Sequence, residues 1–144
     1  MLSSRVAVTL ACVATFAASA CGGTASSTTS PSTVAADATI NESFGATIDV
    51  GGGVFYSFSM QSYGNVAVTL TAVTGTDLPD DITLGLGIGR PSGTSCTTSL
   101  STSATPGATA QLTGVYGPGV FCVRVYDAGT LSAPIQFTAS VAHS

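Results

Sequence analysis

Apolar side chains recur at every second position in this chain, in short runs closed by glycine or proline. Val54, Tyr56, Phe58 and Met60 form one run, and Val66, Val68, Leu70 and Ala72 form a second. Ile82, Leu84, Leu86 and Ile88 follow, then Phe121, Val123 and Val125, then Ile135, Phe137, Ala139 and Val141. Successive side chains of a β-strand point to opposite faces, so each run sets one face on a core and the other toward solvent. Weaker candidates cover 39–50 and 108–115. The breakers are Gly51-Gly52-Gly53, Tyr63-Gly64-Asn65, Leu78-Pro79-Asp80 and Gly117-Pro118-Gly119. No long stretch shows helical spacing with caps. The pattern predicts an all-β fold, a single antiparallel sandwich of about seven or eight short strands over residues 38–144.

The first 37 residues read differently. Arg5 precedes an apolar stretch from Val6 to Ala18, interrupted only by Thr9 and Thr15. That stretch is shorter than the roughly 20 residues a membrane-spanning helix needs. A basic start, a short apolar run and the small residues Ala18-Ser19-Ala20 describe a secretory signal over 1–20. Ala18-x-Ala20 fits the general signal peptidase. Ala18-Ser19-Ala20-Cys21 also resembles the bacterial lipobox, with alanine where a large aliphatic residue is usual. Cleavage removes Cys12 and leaves Cys21, Cys96 and Cys122. An odd count in an oxidising compartment favours lipidation of Cys21, which removes the leftover thiol. A secreted protein with a free or intermolecularly paired Cys21 is the alternative. Residues 21–37 are rich in Ser, Thr, Gly and Ala and read as a tether, spanning about 20 Å as a coil. The expected location is therefore the bacterial cell envelope, with the protein anchored in the membrane on its extracytoplasmic side.

Charge narrows the partners. After cleavage only Arg90 and Arg124 are positive, against seven acidic residues, a formal charge of −5. Nucleic-acid affinity comes from neutralising phosphates, and two arginines cannot build that groove. Export also makes a Cys96–Cys122 disulfide the expected pairing. Its loop would contribute about 3–4 kcal/mol in the chain-entropy model.

Few residues offer chemistry. His143 is the only histidine and lies one residue from the end of the sequence. It reads as an unremarkable terminal residue, since a Ser–His–acid arrangement needs the imidazole held in place. No catalytic residue is assigned, and the chain is expected not to be an enzyme. Asp77, Asp80 and Asp81 share one loop that reads as a solvated turn or a calcium site, with Asp127 or Asp49 as possible further ligands. No other cofactor is expected. Gly85, Gly87 and Gly89 give one strand a smooth face, open to another backbone, an aromatic ring or a ligand. Phe55, Arg124 and Tyr126 occupy outward parities and form a candidate surface for a glycan or for an envelope or matrix protein.

These residues also carry a family resemblance. Gly119-Val-Phe-Cys-Val-Arg-Val-Tyr-Asp127 and Pro134-Ile-Gln-Phe-Thr-Ala-Ser-Val141 resemble the closing strands of the bacterial pre-peptidase C-terminal domain. Val54-Phe-Tyr-Ser-Phe58 with Gly64-Asn-Val-Ala-Val-Thr-Leu70 is similar to its earlier hairpin, and Ile82 to Ser92 to its middle strand. Glycines replace that family's aspartate-rich middle strand, and Cys122 is additional. The resemblance covers about residues 40–142 and implies a jelly-roll-like sandwich without catalytic residues. In that family the domain is an appendage of exported enzymes, and some members bind calcium, collagen or carbohydrate. Residues and resemblance together lead to a non-catalytic binding or adhesion module. A structural or accessory subunit of an envelope complex or secreted-enzyme system is the alternative.

Overall fold

The computed structural model describes residues 38–144. The expected signal peptide, Cys21 and the tether lie outside the described residues. Eight strands make up the fold: β1 (Ile40–Ile48), β2 (Gly53–Met60), β3 (Gly64–Thr74), β4 (Leu84–Ser92), β5 (Ser95–Ala104), β6 (Leu112–Tyr116), β7 (Gly119–Tyr126) and β8 (Ile135–His143). No helix occurs among the described residues.

The strands form two four-stranded antiparallel sheets, ordered β1-β8-β3-β6 and β2-β7-β4-β5. Strand β1 pairs with β8, β2 with β7, β3 with β6 and β4 with β5. The chain is thus a long two-armed ribbon whose tip is the β4–β5 turn at Gly93-Thr94. Rolling that ribbon up brings β3 against β8 and β4 against β7, which completes both sheets. This is a jelly roll, as anticipated.

The period-two runs supply its interior. Val66, Val68, Leu70, Leu84, Leu86, Ile88, Val123, Val125 and Val141 are fully buried between the sheets. Ile82 lies before β4 rather than in it, yet its side chain is also buried. Strand β5 is the element the alternation does not show. Its sequence is Ser- and Thr-rich, and only Cys96 and Ala104 are buried. It is an edge strand, held by its ladder to β4 rather than by an apolar face.

The outward face of β4 explains its glycines. A Cβ at Gly85 would stand 2.2 Å from the Tyr126 ring, and one at Gly89 would stand 1.9 Å from the Thr97 carbonyl oxygen. An aromatic ring occupies the first position and a backbone the second. The β5 backbone crosses so closely over Gly89 because a bulge between Ile88 and Gly89 shifts the β4–β5 register. Cys96 and Cys122 form the anticipated disulfide, joining the two strands that flank β4. Two strand spacings span about 9.6 Å, but the two Cα atoms are 6.0 Å apart. The start of β5 therefore curls over β4, and Gly89 leaves room for it. Gly89→Ala should cost about 1–3 kcal/mol by overpacking, read from urea unfolding. An unchanged midpoint would show that β5 yields freely.

Candidate functional site

The register brings the outward candidates together. Phe55 of β2 lies opposite Arg124 of β7. The Arg124 guanidinium stands 4.8 Å from the centroid of the Tyr126 ring. That ring rests on Gly85, so the missing side chain seats the aromatic. Arg124 is exposed, while Phe55 and Tyr126 are half-buried. Thr94, Ser95 and Cys96, carried over by the curl of β5, wall a shallow recess above Phe55 and Arg124. No acidic side chain pairs with Arg124 among the described residues. The result is a cation on an aromatic ring, beside Thr94 and Ser95, on one face of a sheet.

A second arginine–aromatic group lies at the open edge between β5 and β6. Arg90 follows Leu84, Leu86 and Ile88 at the next inward parity of β4. Its guanidinium stands 4.7 Å from the centroid of Phe121, whose ring lies 4.9 Å from that of Tyr116. Thr97, Thr98 and Ser99 complete a recess of about 420 Å³. Sequence reasoning had not counted Arg90 as a site residue. The signal was available in the two-residue step from Ile88.

His143 is a correction. Its position at the end of the sequence suggested a loose residue, but it is 2% exposed. Its Nε2 lies 3.1 Å from Glu42 Oε1. A carboxylate only accepts, so Nε2 donates. The Tyr56 hydroxyl donates to Oε2 of the same carboxylate. Phe58 packs against the imidazole with ring centres 4.8 Å apart, and Phe44 stacks on Tyr56 at 5.0 Å. The hydrogen bond from Tyr56, then that from His143, holds Glu42 below the ordinary carboxylate value, and the same bond to Glu42 raises Tyr56. No serine or threonine hydroxyl bonds to His143 among the described residues. The group ties β1, β2 and β8 at one end of the sandwich.

The acidic candidates divide. Asp77, Asp80 and Asp81 are exposed in the turn between β3 and β4, with Asp77 at a φ of 53°. No group of three or more His, Cys, Asp or Glu side chains there, or elsewhere among the described residues, is placed to hold a metal ion. Asp127 is committed to the backbone instead. Its Oδ1 accepts from the amides of Gly129, Thr130 and Leu131, and its Oδ2 from that of Gly51. These bonds, the one from Gly51 foremost, hold its carboxyl below the usual range. They fix the β7–β8 loop to the β1–β2 turn.

No protein-family model matches the chain, and no curated protein matches it.

Proposed function

We propose that the chain is exported, cut before Cys21, anchored through a lipid on that cysteine, and displays the jelly roll as a non-catalytic binding module at the bacterial cell envelope. The observation that carries the binding reading is the Phe55–Arg124–Tyr126 face. An arginine without an acidic partner among the described residues is stacked on a seated tyrosine. Such a surface suits a glycan ring or a protein side chain, because stacking and a guanidinium fork act together there. The likeness to the pre-peptidase C-terminal domain belongs to the same proposal and rests on the strand motifs named above. The reading of an accessory subunit draws on β5, a ten-residue edge strand with no charged side chain and no proline. Such an edge is open to pairing by another chain.

Two measurements test the proposal. Mass spectrometry of the mature protein should find acyl chains on Cys21, and an unmodified cysteine would remove the anchor. A glycan and matrix-protein array should find a ligand for the wild-type domain. Arg124→Gln with Tyr126→Ala should then weaken it by about 10-fold or more, the range of one or two hot-spot residues. Binding that ignores both substitutions would place the ligand elsewhere.

A further inference from the structure

Arg90, like Arg124, stacks on an aromatic ring, but it does so from an inward parity. It sits at an inward parity, at the mouth of the sandwich, over the face of Phe121. Among the described residues it takes part in no ion pair, and no side-chain hydrogen bond uses its guanidinium. Stacking engages only the flat face of a guanidinium and leaves its in-plane N–H donors unspent. Arg90 is exposed and lines a recess of about 420 Å³, within the ordinary size of small-molecule sites. The walls are the Tyr116 and Phe121 rings on one side and residues 97–99 of β5 on the other, with Thr97 directly opposite Arg90 in the ladder. A mature chain carrying five net negative charges repels anions over most of its surface, so an unspent cation here selects by charge.

We infer that the Arg90–Tyr116–Phe121 recess binds a carboxylate carried on a ring with an apolar face. The guanidinium fork meets a carboxylate with two parallel hydrogen bonds. The aromatic walls take the body of the ring, and Thr97, the ladder partner of Arg90, stands at its polar edge. One arginine balances one negative charge, which favours a carboxylate over a phosphate dianion. Uronic acids of acidic polysaccharides and free aromatic acids share this chemistry. The inference rests on reading the sandwich as a binding module, but not on the Phe55–Arg124–Tyr126 face.

The test is an amide chemical-shift titration of the isotope-labelled mature chain with trigalacturonate, with benzoate, with the methyl ester of each, and with phenyl phosphate. Either acid should shift Gly89, Arg90, Thr97, Thr98 and Ser99 with a Kd on the order of 1 mM or tighter. Binding by trigalacturonate alone identifies a polysaccharide source, and by benzoate alone a small aromatic acid. Arg90→Gln should weaken binding by about 10-fold or more, while Arg90→Lys, which keeps charge without the fork, should lose part of it. Arg124→Gln should leave this titration unchanged. Esters that bind as well as the acids, phenyl phosphate that binds more tightly than benzoate, an unaffected Arg90→Gln variant, or no shift of these amides would each overturn the inference. An array ligand lost in Arg124→Gln, with every carboxylate failing here, would remove this site and leave the broader reading standing.

Discussion

Cys96→Ala with Cys122→Ala is expected to lower the free energy of unfolding by about 3–4 kcal/mol, the chain-entropy value for a loop of this size. The bridge spans 26 residues, which include the rest of β5, all of β6 and the start of β7. In the unfolded chain it holds together two strands that the folded state needs on either side of β4. Alanine is the better replacement, because Cys122 is fully buried and a serine hydroxyl there would need a partner. For a domain of this length each kcal/mol is worth about 4–8 °C, so the melting temperature should fall by roughly 12–30 °C. Urea unfolding with and without the two cysteines measures the change. A loss below about 1 kcal/mol would mean that the curl of β5 over Gly89 holds without the bridge and that the loop-entropy model fails here.

The contrast between β5 and its neighbours shows what sequence pattern can reveal. Strands β2, β3, β7 and β8 each bury one face, and burial on one face is what writes a period of two. Strand β5 lies at a sheet edge with solvent on most of both faces, so its residues answer to a ladder with β4 and not to a core. Nothing local marks that ladder. The disulfide was expected from reading the chain as exported with Cys21 lipidated, which leaves Cys96 and Cys122 to pair, and the two cysteines are bonded. The outward parity of Phe55, Arg124 and Tyr126 was legible, but their adjacency was not. It depends on the pairing of Phe55 with Arg124, residues far apart in the chain. Glycines 85, 87 and 89 marked a close approach without saying of what. The answer at Gly85 is the ring of Tyr126, at Gly87 the methyl of Thr98, and at Gly89 the β5 backbone. The metal reading of the Asp77–Asp81 loop had only proximity in sequence behind it, and folding leaves those carboxylates exposed and without a clustered set of ligands. His143 is the instructive case. The step from Ile135 through Phe137, Ala139 and Val141 arrives at 143, so the period itself pointed inward. The general looseness of chain ends outweighed that signal. The partner that secures the histidine, Glu42, lies 101 residues away and could not be read from spacing.

His143→Ala is the second large effect. The substitution removes a buried ring packed on Phe58 and takes one donor from the Glu42 carboxylate. Loss of a buried aromatic and of a charge-assisted hydrogen bond together should cost about 3–4 kcal/mol. Glu42→Gln should cost less, because the amide fills the same space and still accepts one hydrogen bond. It carries the sharper test, which is pH. Hydrogen bonds from Tyr56 first and then from His143 hold the Glu42 carboxyl below the ordinary carboxylate range in the folded protein. A carboxylate with a lowered folded pKa binds more protons when unfolded. Its stabilisation is therefore complete above the unfolded value near 4.5 and is lost as the pH falls through the lowered folded value. Asp127 is held low in the same sense, through the four amides it accepts from, that of Gly51 foremost. Wild-type stability should then hold level from neutral pH to about 5 and decline below it. Glu42→Gln should begin lower at neutral pH and decline less steeply in acid, so the two urea-midpoint curves converge as the carboxylate is protonated. Parallel curves would show that the carboxylate charge contributes nothing and that the clasp acts by packing alone. A steeper acid decline in Glu42→Gln would reverse the sign and place the linked proton on another group. The clasp joins β1 and β2 to β8, so its loosening should be visible first as faster amide exchange in β1, which among the described residues is an edge strand laddered to β8 alone.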